Sequence, residues 1–173
     1  MLLPSGSKGW YLPVCAGFLT LLSMASCATK ECYDNRTTMP LAGFYSSTAP
    51  AQSVSVDSLE VYALGVPGDS VLLRPTTNAI RELSLPFNSE ANHTDYVFIN
   101  ARTKVSDTVT FRYNCRPWFA SEACGVVYRY EMNGITCTGA LIDSVTCPEG
   151  VITNRPAENL KIYFKVRTTP TTD

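Results

Sequence analysis

One histidine, His93, serves the whole 173-residue chain. Imidazole is the side chain that ordinarily changes charge near neutral pH, so a histidine-based serine or cysteine hydrolase would have to use His93 as its base. It sits in "SEANHTDY", which reads as a polar turn ahead of a strand. The same scarcity, with no C-x2-C pair, removes the usual zinc spacings. A G-x-S-x-G elbow and a Gly-rich phosphate loop are missing too, and the fifteen acids are scattered singly rather than paired for glycoside hydrolysis. Asp69, Glu90 and Asp95 could offer oxygens to calcium, but no D-x-[DN]-x-[DN]-G loop surrounds them. The expectation is a protein with no catalytic residues, no metal and no cofactor.

Charge of one sign is also scarce. The net charge is −1 and no lysine or arginine cluster occurs, which argues against a nucleic-acid partner. Long apolar runs are lacking as well. Val14 to Met24 (VCAGFLTLLSM) run uncharged for eleven residues, about half of what a transmembrane helix needs. With Lys8 before it and the small pair Ala25-Ser26 after it, the run has the layout of a signal peptide over residues 1–26. Cys27 follows at once. "MASC" resembles a bacterial lipobox, although Met24 stands where leucine is usual; the resemblance implies cleavage before Cys27 and acylation of its thiol. Two acyl chains would anchor the protein stably, so the membrane is expected as a partner through that anchor.

Export permits disulfides, and five cysteines remain: Cys32, Cys115, Cys124, Cys137 and Cys147. Five cannot all pair internally, and fifteen arrangements leave one out. Cys137 and Cys147 flank "TGALIDSVT", which predicts a bridge closing a small loop. Of the other three, Cys32 is expected to pair with Cys124, because Cys115 falls in phase with Val109, Phe111 and Tyr113 and can sit in the core as a small hydrophobe.

No window predicts a long amphipathic helix. "DTVTFRYNC" (107–115) alternates Val109, Phe111 and Tyr113 against Thr108, Thr110 and Arg112, and "NLKIYFKVR" (159–167) alternates likewise, the period of half-buried strands. "DYVFINA" (95–101) is apolar on both sides, as a central strand would be. Further strands are predicted at 41–46, 58–65, 70–74, 80–86, 126–132 and 141–146, with turns at Pro67-Gly68-Asp69, Asn88-Ser89-Glu90, Asn133-Gly134 and Pro148-Glu149-Gly150. Many short strands and close turns predict an all-β, single-domain antiparallel sandwich, with a small barrel as the alternative. The domain is expected over 40–167, between a lipidated tether (27–39) and a polar tail (168–173).

Three segments carry a family resemblance: "FASEACG" (119–125) together with Cys32, the hairpin "TDYVFINARTKVSDTVTFRYN" (94–114), and the ending "ITNRPAENLKIYF" (152–164). Together they resemble an uncharacterised family of small Bacteroidota lipoproteins. The resemblance implies an all-β envelope protein with no established activity; Cys115, Cys137, Cys147 and the stretch 133–150 depart from the pattern.

Two surface features remain. Asp57-Ser58-Leu59, Asp69-Ser70-Val71, Asp107-Thr108-Val109 and Asp143-Ser144-Val145 resemble an O-glycan acceptor motif, which makes Ser58, Ser70, Thr108 and Ser144 candidate acceptors; Asp-Ser and Asp-Thr also open strands by satisfying loose backbone groups. "RPWFASE" (116–122) places Trp118 and Phe119 after Pro117 in an expected loop, with alternation letting at most one of them face water. Exposed Trp is enriched in binding surfaces. The expected function is a lipid-anchored outer-membrane protein with a structural or interaction role towards an envelope protein or glycan, or else a carbohydrate-binding accessory lipoprotein using Trp118.

Overall fold

The computed structural model describes residues 37–65, 71–74 and 78–165. The signal segment, Cys27, Cys32, Asp69, Ser70 and the tail 168–173 lie outside them.

Alternating apolar residues make ten strands: β1 (Leu41–Ser46), β2 (Leu59–Ala63), β3 (Val71–Leu73), β4 (Glu82–Ser84), β5 (His93–Asn100), β6 (Ser106–Ser121), β7 (Gly125–Cys137), β8 (Ile142–Thr146), β9 (Val151–Ile152) and β10 (Glu158–Phe164). The described residues contain no helix. They form a four-stranded sheet, β4-β1-β10-β8, and a six-stranded sheet, β3-β2-β5-β6-β7-β9, neither closed into a barrel. The fold is an all-β sandwich. Every pairing is antiparallel except that of β1 with β10, where Phe44 lies beside Ile162.

The core lies where the alternation predicts. Val109, Phe111 and Tyr113 of β6 are fully buried, and so are Leu160 and Ile162 of β10 and Phe44 of β1. Apolar residues on both faces of β5 fit its place between β2 and β6: Tyr96 and Phe98 enter the core while Val97 is buried on the opposite side.

Two elements run longer than the sequence suggests. Asn133-Gly134 does not turn the chain. Gly134 pairs with Arg112 and Met132 with Tyr113, so Asn133 is the extra residue of a bulge inside β7, an insertion that bends a strand without ending it. Pro117 likewise does not end β6. β5 begins at His93, opposite Arg112, so further along β6 pairs with β7 alone, and a residue lacking an N–H is tolerated where one side of a strand has no ladder partner.

Three tyrosines close one end of the sandwich. From β5, β6 and β7 the hydroxyls of Tyr96, Tyr113 and Tyr130 donate to the successive carbonyls of Pro86, Asn88 and Phe87; the Tyr113 bond is 2.8 Å and the Tyr130 bond 3.3 Å. Burial raises all three phenol pKa values, that of Tyr130 to about 12. A pKa raised by folding contributes stability that is present below the unfolded value of about 10 and is lost as pH climbs through the folded value. Absorbance titration is therefore expected to show these three phenols ionising late, above the ordinary value of about 10 and together with unfolding. Ionisation of Tyr96, Tyr113 and Tyr130 near the ordinary value, with the fold intact, would contradict the clasp.

Candidate functional site

Past the sandwich, β6 and β7 continue as a two-stranded arm. Cys115 pairs with Tyr130, Arg116 with Arg129, Pro117 with Tyr128, Trp118 with Val127 and Phe119 with Val126, and the chain reverses between Ser121 and Gly125. β9 meets β7 only at Tyr130 and Glu131. Opposite residues share a face, so Pro117, Phe119, Val126 and Tyr128 lie on one side, with Arg116, Trp118, Arg129 and the buried Val127 on the other.

Trp118 was expected in a loop; it stands on β6. Both it and Phe119 are exposed, at 47% and 60%, with Val126 at 68% and Tyr128 at 49%. The expectation that only one of the two faces water fails because it assumed a sandwich behind the strand.

A free hairpin is marginal in water, and four contacts help to hold this one. The Arg129 guanidinium sits 5.0 Å from the centroid of Trp118, a cation–π contact, while Glu131 accepts from Arg129 at 2.5 Å and lies 3.5 Å from Arg116. Thr38 donates its hydroxyl to the Tyr128 carbonyl, so the segment entering β1 runs beside the arm. In the turn, the Cys124 N–H donates to Ser121 Oγ at 3.0 Å, and Cys124 is disulfide-bonded.

Trp118, Ala120 and Arg129 also form one wall of a cleft of about 650 Å³, whose other wall is Glu149, Val151 and the turn leading into β10. Asn154 and Asn159 line it and are themselves buried. Asn159 spends its amide oxygen on the Leu41 N–H at 3.1 Å. Two arginines, Arg129 and Arg155, are offset by Glu149 and Glu158, so the cleft has an aromatic wall, amides and balanced charge.

Residues 58–164 match a family of unknown function (DUF6452). The chain belongs to this family. No curated protein and no solved structure matches it. The DUF6452 match spans the six-stranded sheet and the arm, and ends with β10; β1 lies before it.

The remaining cysteines need a correction. Cys137 and Cys147 are free thiols, as is Cys115. Cys137 closes β7 opposite Val109, whereas Cys147 follows Thr146, which pairs with Lys161 in the other sheet. The intervening chain ends in the extended β8 (Ile142–Thr146), about 17 Å for its five residues, while a disulfide requires α-carbons roughly 4.4–6.8 Å apart. Burial pushes all three thiols up, so little reactive thiolate forms.

The acceptor candidates separate by accessibility. Asp107 is 1% exposed; its carboxylate accepts from the Thr138 hydroxyl and from the N–H groups of Ala140, Leu141 and Ile142. The Asp-Thr-Val at 107–109 is thus a loop clamp, with Thr108 inside a central ladder. Ser58 takes a left-handed backbone, φ 52, next to the Asp57–Arg102 ion pair of 3.1 Å. Ser144 lies on the edge strand β8, its hydroxyl 3.4 Å from the exposed Asp143 carboxylate.

His93 opens β5 rather than lying in a turn before it. Its Nδ1 is 3.0 Å from the Asn92 amide oxygen and its Nε2 3.9 Å from Asp95. Glu90 and Asp95 line one hollow with it, and Asp69 lies outside the described residues. Among the described residues no three His, Cys, Asp or Glu side chains are grouped to hold a metal ion.

Proposed function

We propose that this is a lipid-anchored protein of the bacterial outer membrane, acylated at Cys27, that acts as a structural or interaction module without catalysis. The observation that carries the interaction role is the arm, a hairpin built beyond the hydrophobic core that keeps Trp118, Phe119, Val126 and Tyr128 exposed. The export reading is supported by the signal-like run ending at Cys27 and by the disulfide at Cys124, since such bonds persist in oxidising compartments. We assign Cys32 as its partner.

Intact mass spectrometry of the protein from native membranes, before and after reduction, tests this reading. The expected species starts at Cys27, carries acyl mass and gains two hydrogen atoms when the added reductant opens its single disulfide. An unmodified chain starting at Met1 would overturn it. Added hexose-type mass would be traced first to Ser144. Turnover of an ester, peptide or glycoside that is lost in His93→Ala would overturn the non-catalytic assignment.

A second reading is carbohydrate binding in the cleft behind Trp118. It is favoured by the aromatic wall, by amide and carboxylate groups opposite it, and by charges that cancel, a composition suited to a neutral sugar. Because Trp10 leaves with residues 1–26, Trp118 is the sole tryptophan of the mature chain. Titration of a glycan panel should then change its emission, with the change lost in Arg155→Ala. No response across the panel would dispose of this reading.

A further inference from the structure

We infer that the arm rests on the membrane that holds the anchor, with the face formed by Pro117, Phe119, Val126 and Tyr128 seated in the boundary between headgroups and acyl chains. The inference deepens the anchor reading and rests on it. Within the sandwich this side of β6 and β7 carries Tyr113 and Tyr130 into the core, where Phe87 packs on both. Beyond Cys115 and Tyr130 the same side leaves the core, yet its residues stay apolar and exposed. A contiguous apolar patch on a projecting element calls for an occupant.

Chain length says which. Thr38 touches Tyr128, and Cys27 is eleven residues upstream. At no more than about 3.6 Å per residue, the anchor lies within roughly 40 Å of the arm. Through the assigned Cys32–Cys124 bridge the path shortens to five residues, roughly 18 Å from the bridged turn. The arm is therefore the projecting part of the domain with the shortest covalent path to the bilayer surface. Its chemistry fits: an aromatic hydroxyl and flat apolar rings suit the interface between water and hydrocarbon. Arg116 and Arg129 are already engaged by Glu131, so the association is apolar and insensitive to salt.

The test uses the mature acylated protein in phosphatidylcholine vesicles whose acyl chains carry bromine near the headgroup. A single tryptophan is moved onto the face by combining Trp118→Phe with Tyr128→Trp, and a control puts it on the opposite sheet with Trp118→Phe and Tyr163→Trp. The emission at position 128 should fall at least twofold in brominated vesicles, equally at low and high salt, while position 163 stays unquenched. Adding Phe119→Ser and Val126→Ser should remove the quenching while flotation with the vesicles persists. Protein that floats with position 128 unquenched would overturn this inference and leave the anchor reading standing. If the arm instead pairs with a second copy, emission at 128 shifts without quenching and the protein sediments as a dimer, which also overturns it. Chain lacking acyl mass that fails to float would overturn the anchor reading and this inference with it.

Discussion

Replacing Asp107 by alanine is expected to lower the unfolding free energy by at least about 3 kcal/mol, because each donor that loses a charged acceptor costs roughly 1.5–3 kcal/mol. Three such donors converge on this carboxylate, the N–H groups of Ala140, Leu141 and Ile142 at 2.7, 2.6 and 2.6 Å, with the Thr138 hydroxyl as a fourth. They belong to the crossing that carries the chain from β7 in one sheet to β8 in the other, so the clamp also sets how the sheets are joined. Asp107→Asn keeps the volume but turns an amide towards N–H groups, and should cost nearly as much. Burial alone would raise the Asp107 pKa, yet the hydrogen bonds from Ile142, Thr138, Ala140 and Leu141 outweigh it and hold the carboxyl below its ordinary value. A lowered carboxyl pKa contributes stability that is present above the unfolded value of about 3.9 and is lost as pH falls through the folded one. Urea unfolding at neutral pH and at about pH 3 reads both effects: the wild type should lose stability on acidification, and Asp107→Asn should lose less. A neutral-pH cost under about 1 kcal/mol would mean that the clamp is replaceable by water.

The sequence presents Asp107 as one of four Asp-Ser or Asp-Thr pairs, and nothing local separates it from the others. Its donors sit more than thirty residues away in the chain, so its role emerges only when β6 and β8 are brought together. The same limit explains most of what sequence reading missed. Strands with strict alternation, such as 107–115 and 159–164, are legible because burial on one face imposes period two. The parallel pairing of β1 with β10 is not, since it joins the two ends of the domain and leaves no local mark. Nor is β9, two residues long and recruited by the register of β7.

The arm was hidden by two honest turn signals. Pro117 and Asn133-Gly134 each favour a reversal, and each is overridden by its place in the ladder: Pro117 where β6 has one partner, Asn133 as the extra residue of a bulge. Trp118 was visible as a candidate. Arg129, Glu149, Arg155 and the two buried asparagines that share its cleft were not, because they come from three separate segments with no shared spacing. Phe119, Val126 and Tyr128 look like ordinary core residues of alternating strands; what makes them surface is that, among the described residues, no second sheet lies opposite them.

Truncating Phe87 to alanine is expected to destabilise the domain by about 3–5 kcal/mol, the usual loss for an aromatic core residue, although Phe87 lies in the connection between β4 and β5 and not on a strand. Its ring stacks on Tyr113 at 4.8 Å, meets Phe111 at 5.1 Å and presents its edge to Tyr130 at 5.3 Å. Its own carbonyl receives the Tyr130 hydroxyl, and its neighbours receive those of Tyr96 and Tyr113. Removing the ring therefore empties the root of the arm and loosens the clasp at once, since the hydroxyls are held at their acceptors by the packing between them. Urea unfolding should give the stated loss, and the late alkaline ionisation of the three tyrosines should move down towards pH 10 as burial weakens. Tyr130→Phe, which removes one long hydrogen bond and no ring, should cost about 1 kcal/mol and leave the other two phenols titrating late. Amide exchange in 114–129 should quicken in Phe87→Ala and hardly at all in Tyr130→Phe, because the arm buries only Val127 of its own and draws most of its order from this root. Equal exchange in the two variants would instead place the arm's stability in its outer contacts, those of Arg129 with Trp118 and of Thr38 with Tyr128.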